Sequence, residues 1–558
     1  MLQQIQWSSF GGSFSYARLI LRLARIRSSR SKAEARSFPA RSLACQPVQA
    51  PRSEPSGYIC LVAAGCMVLM GYDASVFNSV QNSDSWHAYF DNPDSYMLGL
   101  MNTVYTVGGI ITGWFFAGPL ADYAGRRWAM GIGCFITVIA TFMQCFPPAN
   151  HAVPVFMAGR VLIGCGQALA IAAGPIYIGE VTPSYIRGLI MAFWQMFYSV
   201  GSFVAYWVNY AAGKHKDTLG EWDWKMVVIF QLLLPIIIIC QLPFMPESPR
   251  WLVQRKRDVE GARKVLQQVR DTDEEIENEL ATIREAIEYE REALGSGKRA
   301  YMTLFKDTSV RKRLLLTFVL NIGQQLTGQG TFNSYSSTIY KKIWTNGDTI
   351  NLINALNATF GILFTLNATW TVDRFGRKFL LIVGATGMAC CMLITALVGL
   401  QTPSTAEGAK TEPVGIAIVF LMFLFAFFYK PSWGATVWIY TAEVFPMNVR
   451  AQAVGMCSQM QGVANTIFQQ FFPIFYEKQG LKSFFFFMTC NVFLVAFVWF
   501  LIPETKKVPL EEMDTLFGGT SHVQGGAAIL HGRKEGFEDV EHREEVEPTV
   551  TGQTPAKV

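Results

Sequence analysis

The sequence predicts an all-α membrane protein: twelve transmembrane helices in two six-helix repeats, with a cytoplasmic helical linker between them. The composition points there first. Of 558 residues 51% are hydrophobic and 16% charged, against about 25% charged in a soluble domain. Apolar runs such as 99–121, 127–146, 226–245 and 482–502 each approach the ~20 residues that cross ~30 Å of hydrocarbon. In a bilayer the backbone must satisfy its own hydrogen bonds, so each run reads as a helix. A buried core helix would account for one such run, not for a dozen. The final observation is that loop motifs from the first half of the chain recur in the second.

The spans fall near 58–80, 99–121, 127–146, 153–175, 188–210, 225–245, 314–340, 349–372, 379–400, 414–440, 452–475 and 482–502. Positive loops mark the cytoplasmic side. Arg126 and Arg127 follow span 2, Arg187 span 4, Arg250, Arg255, Lys256 and Arg257 span 6, Arg377 and Lys378 span 8, and Arg450 span 10. The connections after spans 3 and 9 carry a single Lys between them. Even-numbered spans therefore end inside, and both termini are expected in the cytoplasm of a multi-pass protein, with the plasma membrane as its location and the lipid bilayer as its surroundings. The net charge of +5 sits mostly in loops and implies no nucleic-acid partner. Eleven cysteines are scattered without metal-ligand spacing and read as inert thiols. With six histidines, no nucleophile motif and no phosphate-cradling glycine loop after a strand, the chain reads as no enzyme, with no metal and no cofactor.

The repeats are specific. GPLADYAGRR (118–127) is echoed by TVDRFGRK (371–378), EVTPSYIR (180–187) by EVFPMNVR (443–450), and PES (246–248) by PET (503–505). Three motifs recurring in order at matching points imply duplicated halves, an architecture that places a substrate site at the midplane between them. The expected divisions are a basic tail (1–56), an N-terminal bundle (57–246), a charged helical linker (247–311), a C-terminal bundle (312–503) and a C-terminal tail (504–558), both tails expected to be disordered. The basic, Ser-bearing start also resembles a transit peptide. A tail drawn to anionic lipid and a misplaced gene start are the competing readings.

With GYD (71–73), GRVLIGCG (159–166), PESPRW (246–251), QQLTG (324–328) and PETK (503–506) added, the chain resembles the sugar porter family of the major facilitator superfamily over roughly residues 57–515. That resemblance implies the major facilitator fold, a small sugar as substrate, and either uniport or sugar–proton symport by rocking one half against the other. The loop residues Arg126, Arg127, Glu180, Arg187 and Glu247, and their counterparts Arg377, Glu443, Arg450 and Glu504, match a family latch that holds the outward-open state and breaks on inward opening. The plainer reading is that the arginines only set topology, but that leaves the acids unexplained.

Two ionisable residues lie inside spans, where such groups are costly and are functional candidates by default. At 1.5 Å per residue Asp73 and Arg160 both lie roughly 8–10 Å from the outer face, so they are expected to pair. The pair is either structural or, as the resemblance implies, the site where a proton binds as co-substrate. For the cavity, the resemblance carries Gln195, Gln324, Gln325, Trp438, Gln461 and Asn465 over as sugar contacts and Tyr335 as an outer-gate aromatic. Amides suit ring hydroxyls because they offer donors and acceptors without charge. The Gly-rich span 7 is expected to break locally.

Departures concern the same cavity. Gly330 stands where the family has Asn, Ser334 replaces a tyrosine, and Gly361 replaces a sugar-binding Asn, with Asn357 one turn away as a substitute. Lys430 lies mid-span where some members place Glu. It either meets a carbonyl freed by Pro431 or favours an anionic substrate such as a uronate. The function expected is alternating-access transport of a hexose or pentose, as a proton symporter. A facilitated-diffusion uniporter, a carrier of a disaccharide, polyol or sugar acid, and a non-transporting sensor are the alternatives.

Overall fold

The computed structural model describes residues 53–182, 184–270, 272–294, 305–306, 308–402, 410–445 and 450–506. Both long tails fall outside these residues. The described part is helical. The first half contributes α1 (Ser53–Val80), α2 (Ser95–Ala124), α3 (Arg126–Cys145), α4 (Ala152–Val181), α5 (Ser184–Lys214) and α6 (Trp222–Phe244). The second contributes α7 in two pieces (Thr308–Leu326 and Gln329–Lys341), α8 (Gly347–Phe375), α9 (Arg377–Gln401), α10 (Glu412–Val444), α11 (Arg450–Gln479) and α12 (Ser483–Leu501).

Nine stretches of the described residues are long and apolar enough to cross a membrane. One of them, Gln452–Leu501, is two helices joined at Gly480, so it holds α11 and α12. The more polar α7, together with α5, completes the twelve. Large apolar side chains such as Phe116 and Phe500 are exposed on the outside of the bundle, where a soluble protein would hide them.

Sequence explains the interruptions in α7 and α10. In α7, Gly328 takes φ +95°, and Thr327 Oγ1 donates to the carbonyl of Gln324 at 2.7 Å. The second piece kinks again at Tyr335 (φ −130°, ψ 20°). The expected break of span 7 is therefore present. In α10, Pro431 lacks an N–H, and residues Lys430–Gly434 widen into a π turn. Ser432 Oγ donates to the carbonyl of Phe428 at 2.5 Å, and Thr436 Oγ1 to that of Pro431 at 3.1 Å.

Within the first half α1 packs on α5, and α4 on α2 and α3; within the second, α9 packs on α10 and α12, and α7 on α11. The halves meet where α5 lies on α8, α2 on α11 and α1 on the second piece of α7. The linker is less solvated than its charge suggests. Its helices Val259–Val269 and Asp273–Leu294 bury Leu266, Val269, Ile276 and Leu280 in the core of the first half. Arg270 holds Glu279 through two bonds (2.6 and 2.7 Å) and donates to the carbonyl of Val181 at 3.0 Å, fastening the linker to the end of α4.

Candidate functional site

The polar residues gather in three places: a brace at the motif-bearing ends of the helices, a buried chain at mid-height, and a seam with a cavity between the halves.

The brace is built twice. Gly125 (φ +104°) turns α2 into α3, and Gly376 (φ +92°) turns α8 into α9. Each turn presents the first N–H groups of the next helix to a carboxylate from a distant loop. Glu247 accepts from the backbone of Arg126 (3.1 Å), Arg127 (3.3 Å) and Ser248 (2.9 Å). Glu504 accepts from Arg377 (2.9 Å) and Lys378 (3.0 Å). A helix N-terminus favours an anion for this reason. Burial pushes the Glu247 carboxyl upward in pKa, and its three backbone donors together with Arg127 pull it back. The guanidiniums close each cluster: Arg126 meets Glu180 at 3.2 Å and Arg377 meets Glu443 at 2.7 Å. Arg127 turns away to the carbonyl of Met245 at 2.7 Å. The side chains of Arg187 and Arg450 lie outside the described residues. Each ion pair described here stays inside one half, so these pairs brace loops and do not themselves join the halves.

At mid-height Asp73 and Arg160 are both buried, but they do not form the ion pair expected of them. A depth count says nothing of azimuth, and it is the facing that decides a pair. Gln167, two turns beyond Arg160 on α4, donates to Asp73 Oδ2 instead. Tyr105 of α2 donates to Gln167 Oε1 at 2.5 Å. The Arg160 guanidinium lies between the Phe77 and Tyr105 rings, 4.8 Å from each centroid, and donates to Asn102 Oδ1 at 3.0 Å. Such stacking stabilises a buried cation by ~2 kcal/mol. Asp73 Oδ1 has no hydrogen-bond partner among the described residues, with Gln231 of α6 beside it.

The same chain reaches the other half. Asn102 Nδ2 donates to the Tyr335 hydroxyl at 3.5 Å, which in turn donates to the carbonyl of Gln469 on α11 at 2.7 Å. Around it the ends of the halves opposite the brace are sealed. Asn78 bonds Ser336 (2.7 Å) and Ser337 (3.0 and 3.1 Å), Asn82 bonds Asn351 at 2.9 Å, and Lys341 donates to the carbonyl of Gln81 at 2.8 Å.

Below the seam a cavity is lined by both halves. Asn357 and Lys430 line it, with Ser199, Tyr206, Gln329, Asn333 and Gly361. The other expected contacts are placed less simply. Gln324 donates to the carbonyl of Trp433 at 2.7 Å and braces the break in α7. Gln325 and Asn465 turn their oxygens toward Gly330, where a Cβ would lie 2.5 Å and 3.1 Å from them. Gln461 has a buried, unpartnered Oε1, and Trp438 is half exposed; neither lines this cavity. The Gln195 side chain lies outside the described residues. Sequence reasoning missed Gln167, Tyr105, Asn102, Gln329 and Asn333. For Gln167 a signal existed, since i and i+7 share a helix face; for the α7 pair none did, because a face cannot be counted through a break.

The sequence model of the sugar (and other) transporter family matches residues 59–517. The chain is similar to a probable quinate permease of Aspergillus flavus, 28% identical over 82% of this chain and 88% of the relative. It is also similar to the quinate permease of Emericella nidulans, 29% identical over 82% and 87%. Among solved structures it resembles the xylose transporter XylE from E. coli in an inward-open conformation, at a TM-score of 0.69 and 25% identity, over 83% of this chain and 99% of that one. A second, of the proton:xylose symporter XylE bound to 6-bromo-6-deoxy-D-glucose, gives 0.67 and 26% over 84% and 100%.

Proposed function

The chain belongs to the sugar (and other) transporter family of the major facilitator superfamily, and from that membership we propose that it carries a small polyhydroxylated ring substrate of monosaccharide size by alternating access, with a proton as co-substrate. Its relatives are permeases and transporters, not enzymes. The positive loops support a cytoplasmic placement of the brace, the linker and both termini in this reading.

The observation that carries the proton reading is the buried chain from Asp73 to Tyr335. Asp73 has one oxygen unpartnered, a place for a proton, and the other held by Gln167. Neutralising the carboxylate changes what Gln167, Tyr105 and Arg160 must balance, and Arg160 holds the Asn102 that bonds the gate tyrosine. A carboxylate relay of this kind links protonation to a bistable seam without moving a helix through the bilayer. The two states need differ by only a few kcal/mol, so at ~1 kcal/mol net per hydrogen bond the gain or loss of a handful of seam bonds is enough to switch them.

Purified protein in vesicles tests it. Under an inward proton gradient, labelled D-xylose or D-galacturonate accumulates above its outside concentration, and a protonophore returns the ratio to one. Asp73→Asn retains exchange but loses accumulation. Uphill uptake that persists without the gradient excludes symport, and binding without passage excludes transport.

A further inference from the structure

We propose that Lys430 is the specificity-determining residue of the cavity and that the substrate it selects carries a carboxylate on its polyhydroxylated ring. The proposal rests on the transport reading above and names its substrate class.

Lys430 lines the cavity, and its described hydrogen bonding is a single 3.4 Å contact to Ser199 Oγ. No acidic side chain among the described residues lies within ion-pair distance of it, and no carboxylate lines the cavity. Asp73 of α1, next to the cavity-lining Ala74, is directed to Gln167 of α4. An ammonium inside a membrane protein ordinarily finds an anion or a freed carbonyl. Pro431 removes the N–H that would meet the carbonyl four residues back, at Phe427, and the hydrogen bonding described for Lys430 includes none to that carbonyl. The bland explanation for a lysine next to Pro431 is thereby removed.

The neighbouring position completes the argument. Gly361 of α8 lies against the lysine stem, where a Cβ would sit 3.9 Å from Lys430 Cε. The ammonium thus occupies the side of the cavity that a larger residue at 361 would fill. A neutral amide there would recognise a hydroxyl; a cation recognises an anion, and one flanked by Ser199, Asn333 and Asn357 recognises an anion that also bears hydroxyls. A desolvated cation held ready for a carboxylate needs little reorganisation on binding, whereas a neutral sugar would leave it unpaired.

The test compares two probes that differ only at C6, D-galacturonate and D-galactose, with quinate as a second carboxylate, in vesicles or a transporter-deficient cell. Wild type takes galacturonate at least ~10-fold better than galactose. Lys430→Gln lowers galacturonate affinity about 10- to 100-fold, the range for a lost charge-assisted bond, with galactose unchanged or improved. Lys430→Arg keeps the preference for the acid and covers the case in which the glutamine variant fails to fold. Lys430→Ala with Gly361→Asn moves the preference to galactose. Galactose carried while every carboxylate is refused overturns the proposal and leaves the transport reading intact. Equal loss of both probes in a well-folded Lys430→Gln, or an arginine variant without the preference, also overturns it. If no probe is carried at all, the transport reading falls and this proposal with it.

Discussion

The two halves share a brace but pack by different means. In the first half the helices touch backbone to backbone. A Cβ at Gly71 of α1 would stand 2.0 Å from the carbonyl oxygen of Tyr198 on α5, and one at Gly201 of α5 would stand 2.0 Å from that of Val68. In the second half the corresponding closeness is to side chains: Gly323 of α7 faces Leu494 Cδ2 at 2.6 Å, and Gly399 of α9 faces Leu481 Cδ1 at 2.5 Å. Small residues let membrane helices approach, but a backbone cannot step aside and a leucine methyl can. The first half is therefore a stiff frame that fixes Asp73, Gln167 and Arg160. The second is the compliant partner, and it holds the break in α7 and the proline π turn of α10, whereas the first half has a proline-free π turn at Gly113–Ala117 in α2. Duplication preserved the frame of each half while the work diverged.

Substitutions in both halves break or sharpen that contrast. The largest effect is expected at Gly71→Ala, where overpacking against fixed backbone costs ~3 kcal/mol or more and folded protein is lost on size-exclusion chromatography. Gly323→Ala should cost ~1–2 kcal/mol and lower the melting temperature of the purified protein without abolishing it. Equal losses would mean that the halves are equally stiff. Next come Glu247→Ala and Glu504→Ala, each of which strips an anion from a helix start and leaves buried N–H groups unmet, at ~1–3 kcal/mol. Because the brace is copied, the two should fall together in thermal stability; a tenfold difference in transport between them would show that one copy has taken on a separate role. At the seam, Tyr335→Phe removes the bonds to Asn102 and Gln469, together worth ~1–2 kcal/mol. Cysteines placed at Gln81 or Asn82 should then react roughly 5- to 30-fold faster with a membrane-impermeant thiol reagent. No change would place the gate elsewhere than Tyr335.

What the sequence disclosed follows the same division. Span lengths, loop charges and motif spacing located the frame and the brace residues, because hydrophobic thickness and helix termini leave one-dimensional marks. Azimuth leaves weaker marks. Asp73 and Arg160 count to one depth by span length, yet Gln167 takes the carboxylate and the Tyr105 ring meets the guanidinium. Gln461 and Asn465 share a face by spacing, yet Asn465 Oδ1 accepts from Gln469 and faces Gly330 while Gln461 has an unpartnered oxygen. The polar residues of α7 after Gly328 escaped because the break resets the helical phase, and the kink at Tyr335 resets it again.

The smallest effect is expected beside the lysine. A methyl group added by Gly361→Ala would meet Lys430 Cε at 3.9 Å, an ordinary contact, so stability should change by less than ~0.5 kcal/mol and uptake by under about twofold. That near-silence is informative because α8 belongs to the compliant half, where added bulk should be absorbed. A strong loss from one methyl would mean that the space beside the lysine stem is held as tightly as the Gly71 crossing. The stiffness assigned to the first half would then extend into the cavity wall of the second.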